Sequence, residues 1–313
     1  MDEGFTFEEP AMPEVDEGTS PTLMRRQLGR FLRETREGQG LSIANAAKEV
    51  QLSFNALQRL ETGRTVNPRR QDVRELCSLY EVDADQTEKA VGLASRAAAA
   101  KDEGGITSLG GLFSDAFNMY VNMERAARTL ISYQELVPGL LQTADYARAM
   151  ISAFFADGSR DDIERRVQVR LDRQILVMRK TSPLALDVLL HESALYRVIG
   201  NPEVMATQLR ELAEVSKRPN ISLRVHPFSA GSVWGLPAVP FVLLDFGNDS
   251  KGRPIEPPIV YLDGAMSSDL YIEKSDVVRR YHEFAEAVRS TALDEVRSRD
   301  LIRQVARRFN SER

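Results

Sequence analysis

A chain of 313 residues with 42% hydrophobic, 28% charged and 7% aromatic side chains predicts about two folded domains and excludes disordered and fibrous classes. Its longest apolar runs, such as 239–246, are strand-sized and fall short of the ~18 residues of a spanning helix, and its acidic N-terminus lacks the basic start of a secretory leader. A cytoplasmic protein with no membrane partner is expected, and a net charge of −5 would argue against nucleic acid as a partner if it were spread evenly.

The charge is not spread evenly. Residues 1–20 carry seven acids and no Lys or Arg, a charge of −7, whereas residues 21–80 set eleven Lys and Arg against six Asp and Glu, a charge of +5. Residues 81–313 hold −3. A locally basic module is what neutralising DNA phosphates requires.

Residues 1–20, acidic and broken by Gly4, Pro10, Pro13 and Gly18, read as a flexible arm. Five helices over 21–100 are then predicted, forming a mainly α helix-turn-helix domain. Ser20-Pro21 opens the first, with Leu28, Phe31 and Leu32 on one face until Gly38. Ser42 caps the second, where Ile43, Ala46, Ala47 and Val50 make one stripe. Ser53 caps the third, with Leu57 and Leu60 inward, and Gly63 ends it in a left-handed turn. Asn67 is predicted to cap the fourth, with Pro68 in its first turn and Val73, Leu76, Cys77 and Tyr80 inward. Cys77, the single cysteine, excludes an internal disulfide and a cysteine-built zinc site, and reads as a small core hydrophobe. Asp83 caps a fifth, alanine-rich helix running towards Ala100.

Lys101-Asp102-Glu103-Gly104-Gly105 marks a linker over 101–111, and 112–313 reads as a second domain of α/β (α+β) class with a mixed sheet of about five strands surrounded by helices. Helices are predicted around Phe113 to Val121, from a Thr143 cap through Phe154, over Ile163 to Ile175, after Asn201-Pro202, from a Ser275 cap through Val288, and around Leu301 to Val305. Strands are predicted over 184–190, 221–226, 241–246, 258–262 and 270–273.

The segment from Leu41 to Gly63 resembles the helix-turn-helix of the xenobiotic-response-element family, which includes the phage repressors. Ala47 matches the small residue at the helix crossing, Leu52, Leu57 and Leu60 match the buried positions, and Arg59-Leu60-Glu61-Thr62-Gly63 matches the helix-end signature; the likeness spans roughly Gln27 to Val82. It implies that the second motif helix enters the major groove of double-stranded DNA with Phe54, Asn55 and Arg59 facing base edges: Arg59 on guanine, Asn55 on adenine and Phe54 against a thymine methyl. A salt bridge or a phosphate contact is the alternative for Arg59. Ser42, Ser53, Gln58, Arg64, Thr65, Asn67, Arg69 and Arg70 are the expected contacts to the DNA backbone, with Arg69 at the position that reaches the minor groove. Gln51 and Ile43 depart from the family, which has glycine in the turn and glutamine at the start of the first motif helix. Gln51 has to accept a left-handed or adjusted turn, and Ile43 cannot make glutamine's phosphate hydrogen bond. A homodimer on a near-palindromic operator is implied, as in relatives.

Between about Ala116 and Ala306 the chain resembles a C-terminal domain of uncharacterised function that follows this helix-turn-helix in many actinobacterial (Streptomyces-type) regulators. The matching pieces run from Leu136 to Ala147, Leu190 to Leu195, Pro219 to Phe228 and Tyr271 to Glu273, and only seven of 41 basic residues are lysine, as is common in GC-rich genomes. The resemblance implies a domain that dimerises and receives a signal. The expected function is therefore a sequence-specific DNA-binding transcriptional regulator, a repressor or autoregulator; the alternative is an antitoxin-like protein whose main role is binding a small partner protein encoded nearby, with DNA binding as autoregulation.

Phe228, Trp234 and Leu236, around Gly231 and Gly235, are the candidate lining of a pocket for a small-molecule effector; packing of the only tryptophan on the sheet is the alternative. His191-Glu192, His226, Asp245 and Asp263 lie near predicted strand ends. With three histidines, no His-Glu-x-x-His, no glycine-rich phosphate loop and no nucleophile elbow, no catalytic, metal or cofactor residue is assigned and no enzyme is expected. His226 reads as a half-exposed strand residue. Arg165, Arg166, Arg170, Arg173 and Arg179 read as a DNA or partner surface, or as a solvated helix face.

Overall fold

The computed structural model describes residues 21–99, 113, 115–236, 239–248, 252, 254–264 and 269–311. The chain divides into two compact units, Met1–Ser108 and Leu109–Arg313. The acidic arm expected over 1–20, with its Ser20 cap, and the linker expected over 101–111 lie outside the described residues.

The first unit contains α1 (Pro21–Gly38), α2 (Ile43–Glu49), α3 (Phe54–Glu61), α4 (Arg70–Leu79) and α5 (Ala84–Ala99). Serine hydroxyls set the two short helices: Ser42 accepts from the Asn45 amide at 3.2 Å and Ser53 from the Ala56 amide at 3.1 Å, each satisfying an amide that helix geometry leaves without a partner. Leu28, Leu32, Ala46, Leu57, Val73, Leu76 and Leu93 are wholly buried in one core. Cys77 joins it, and burial pushes its thiol up to about 11, so it stays protonated at neutral pH.

Two details of this unit correct or sharpen the sequence expectations. The fourth helix begins at Arg70 with Arg69 at its N-cap, not Asn67. Arg69 itself is extended, at φ −77° and ψ 129°, so the helical backbone starts only after it. In the turn between α2 and α3, Gln51 does occupy the left-handed region, at φ 56°. A non-glycine residue there costs roughly 1–2 kcal/mol, so Gln51→Gly should stabilise the unit by about 0.5–1 kcal/mol once the extra freedom of the unfolded chain is subtracted. Urea titration reads this as a higher midpoint, and a lower one would show that Gln51 makes a compensating contact.

The second unit is built on a six-stranded mixed sheet in the order β3-β2-β1-β4-β5-β6, from β1 (Thr129–Gln134), β2 (Ala185–His191), β3 (Ile221–His226), β4 (Phe241–Asp245), β5 (Ile259–Leu262) and β6 (Leu270–Ile272). The first three strands run parallel, and β4, β5 and β6 continue antiparallel. Helices surround them: α6 (Asp115–Ala126), α7 (Ala144–Phe154), α8 (Arg160–Asp172), α9 (Ile175–Met178), α10 (Ser193–Tyr196), α11 (Pro202–Val215), α12 (Ser275–Thr291) and α13 (Glu295–Ser311). Ser275 opens α12 but does not cap it; Lys274 holds that position.

Strand β1 was not expected, yet it lies inside the sheet, pairing Tyr133 with Leu189 on one side and Phe241 on the other. Its alternation sorts the two faces. Ile131 and Tyr133 join Leu189, Leu243 and Val260 against Val278, Ala285 and Val288 of α12, so Leu130, Ser132 and Gln134 point to the opposite face. The edge strand β3 is covered: the Val225 amide donates to Ser298 Oγ at 2.8 Å, and the Leu293 amide donates to the Val225 carbonyl at 2.9 Å.

The arginines of α8 do not form one solvated face. Arg173 is buried and pairs with buried Glu124 of α6, and the Arg166 guanidinium lies 3.9 Å from the ring centroid of Phe155. Arg165 keeps an exposed position, paired with Asp162 at 3.0 Å.

Candidate nucleic-acid interface

The placement of α3 depends on its contacts with α1. A Cβ built on Gly29 would lie 2.5 Å from the Leu60 carbonyl oxygen and 2.6 Å from that of Glu61, so α1 and α3 cross backbone to backbone. At the far end of α1, the Arg36 guanidinium donates from Nε and Nη2 to the Glu61 carboxylate at 2.7 and 2.9 Å, and from Nη1 to the Leu41 carbonyl at 2.8 Å. Both side chains are buried. A bidentate pair of this kind fixes orientation as well as distance. It ties α1 to the end of α3 and to the chain entering α2. Gly63 follows α3 at φ 70°, where a Cβ would also meet Arg26 Cγ at 2.9 Å, so two constraints exclude a side chain.

With Leu57 and Leu60 held inward, the opposite side of α3 faces solvent. Phe54, Asn55, Gln58 and Arg59 are all exposed, and Phe54 keeps 46% of its surface, unusual for a large apolar side chain unless something covers it. The structure therefore brings the expected base-reading residues together on one helix face. Ser42 and Ser53 stand exposed at the starts of α2 and α3. Arg64, Asn67, Arg69 and Arg70 are exposed on the segment leading into α4, with Thr65 half-buried among them. Arg69 carries no capping oxygen, so the first amides of α4 receive no side-chain cap. Lys48 of α2 is exposed beside the turn and was missing from the expected contacts.

In the second unit, a cavity of about 310 Å³ opens at the carboxyl ends of β1, β2 and β3, the edge where open α/β sheets place ligands. Tyr133, Glu135, His191, His226, Phe228 and Leu236 line it. Trp234, expected in the lining, instead packs edge-on against Phe284 at 5.2 Å and sits at φ 57°, between Gly231 and Gly235 in left-handed backbone. His226 is buried rather than half-exposed. Its Nε2 lies 3.2 Å from Thr291 Oγ1, which donates to the Val288 carbonyl at 3.1 Å, and its buried Nδ1 has no hydrogen-bond partner among the described residues. Burial and the neighbouring His191 lower its pKa, which keeps it neutral. His191 Nδ1 accepts from the Ser193 amide at 3.3 Å and lies 2.8 Å from Ser193 Oγ. Among the described residues, no group of three or more His, Cys, Asp or Glu is placed to hold a metal ion, and no helix is long and apolar enough to cross a membrane.

A short capped helix, a tight turn and a second helix that turns its polar side outward define a helix-turn-helix DNA-binding regulator. A model of a helix-turn-helix domain matches residues 27–90. Over the larger unit, residues 117–304 match a family model described as a domain of unknown function (DUF5753), and the chain belongs to that family. No curated protein and no solved structure matches the chain.

Proposed function

We propose that the protein is a sequence-specific transcriptional regulator of the xenobiotic-response-element type that binds a near-palindromic operator as a homodimer, acts as a repressor or autoregulator, and receives a ligand or protein signal through its C-terminal unit. It acts by binding, not by turnover. The observation that carries this reading is the exposed face of α3, where Phe54, Asn55, Gln58 and Arg59 stand over a buried Leu57–Leu60 seam. In a dimer, two such helices ~34 Å apart would enter successive major grooves.

Sequencing of DNA fragments retained by the purified protein tests the reading, since one recurrent near-palindrome is expected and no retained fragment would defeat it. On that site, Arg59→Ala should weaken binding by about 1–3 kcal/mol, roughly 5- to 150-fold, and relax the preference at one base pair. Arg69→Ala should weaken binding to all sequences alike.

A second reading is that the main task is to hold a small partner protein, with DNA binding as autoregulation. It is favoured by Phe228, Trp234, Leu236 and Val239, four large apolar side chains in one loop that are each at least half exposed. Arg59→Ala would then weaken operator binding as before while leaving the partner's co-purification intact.

A further inference from the structure

The sheet face opposite α12 encloses a second cavity, of about 200 Å³, between β1, α6, α8 and the turn at Pro138-Gly139. Its polar groups are unusual for an interior. The Arg173 charge is paired: Nε and Nη2 donate to the two oxygens of Glu124, both at 2.8 Å, and the Tyr120 hydroxyl donates to the same carboxylate at 2.7 Å. Arg170, one turn earlier on α8, is not. The one hydrogen bond its guanidinium makes among the described residues runs from Nη1 to Gln142 Oε1 at 2.8 Å, and no described carboxylate lies within ion-pair distance of it. Desolvation, with the Arg173 charge beside it, lowers its pKa to about 10.

Arg170 is half-buried on the cavity wall, and the carboxylates of Asp263 and Glu124 act on its charge only from beyond ion-pair distance, so most of its guanidinium donors are left for a ligand to complete. The backbone closes on the same spot, since a Cβ on Gly139 would lie 3.9 Å from both Arg170 Nε and Arg173 Nη1. The rest of the lining is largely apolar or aromatic, with Phe117, Leu140 and Tyr261 among it. We propose that this cavity binds a small organic monocarboxylate, its carboxylate on the Arg170 guanidinium and its apolar body against Tyr120, Leu140 and Tyr261. A planar carboxylate matches the guanidinium fork. A doubly charged phosphate would face Glu124 and Asp263, which share the lining. The volume lies below the roughly 300–1,000 Å³ of drug-sized sites, which sets the ligand as a small one.

Binding of the acid stands apart from DNA recognition; only its effect on operator affinity rests on the regulatory reading. Calorimetry on the full chain with acetate, isobutyrate, benzoate and phenylacetate, each against its neutral amide, and with inorganic phosphate tests the site. At least one acid is expected to bind while its amide and phosphate do not. Arg170→Gln should weaken that acid about tenfold or more, and Asp263→Asn should tighten it by removing a like charge. Should Arg170→Gln fail to fold by circular dichroism, Arg170→Lys, which keeps the charge but loses the fork, should still weaken binding. The proposal is overturned by equal binding of acid and amide, by tighter binding of phosphate, by unchanged affinity in the Arg170 variants, or by no acid binding at about 10 mM. Acid binding without any change in operator affinity would leave the site in place and remove its regulatory role.

Discussion

Arg173→Ala should destabilise the C-terminal unit by about 3–5 kcal/mol, because it removes both hydrogen bonds that Arg173 makes to the Glu124 carboxylate, which is 1% exposed, and Arg170, the other cation on that cavity, lies beyond ion-pair distance of it. The Tyr120 hydroxyl cannot relieve it. Burial, together with the charge of Glu124, raises the phenol's pKa well above its ordinary value, so it remains a neutral donor and nothing more. The paired replacement of Arg173 by Met and Glu124 by Leu should recover most of the loss, since two apolar side chains leave no charge to desolvate. Urea titration of the three variants distinguishes the cases. A single substitution costing under about 1 kcal/mol would show that water reaches the pair.

Gly29→Ala sets two effects of opposite sign against each other. Alanine in place of glycine inside a helix gains about 1 kcal/mol of propensity. Its Cβ would approach two carbonyl oxygens of α3 at 2.5 and 2.6 Å, contacts that backbone atoms relieve only by moving the helices apart. Overpacking of this kind costs about 1–3 kcal/mol and at times more. The clash should win, giving a net loss of about 1 kcal/mol, with Gly29→Val worse. Because α3 is the element displaced, operator affinity should fall along with the urea midpoint. A Gly29→Ala protein more stable than its parent would mean that propensity decides and that the crossing is loose.

The helical part was legible in the sequence where capping chemistry is local. Ser42, Ser53, Asp83, Thr143 and Asn201 each accept from the amide three residues on, as expected. Gln51 was legible too, through the resemblance, since the family carries glycine at that turn and glutamine there has to accept a left-handed or adjusted backbone. Strand β1 was not, because Ser132 and Gln134 occupy the positions where a core strand shows apolar residues, and they face the polar cavity instead. The α8 arginines failed for the same reason. Nothing in an i, i+3 spacing distinguishes a solvated Arg170 and Arg173 from a pair turned inward, and the partner Glu124 is 49 residues away from Arg173. The carboxyl-edge cavity was half legible: Phe228 and Leu236 line it, whereas Glu135, His191 and His226 come together only through the sheet's pairing.

That pairing also sets the order of assembly. Thr129 of β1 meets Ala185 on one side and Asp245 on the other, partners 56 and 116 residues further along the chain. The sheet therefore has no stable centre until most of the second unit has left the ribosome, whereas α1 to α5 close their core within about 80 residues of sequence. The DNA-reading module should thus fold early and quickly, and β1 should wait with its edges unpaired for the longest. Of all the segments, this one has the greatest exposure to chaperones and to misassembly during synthesis.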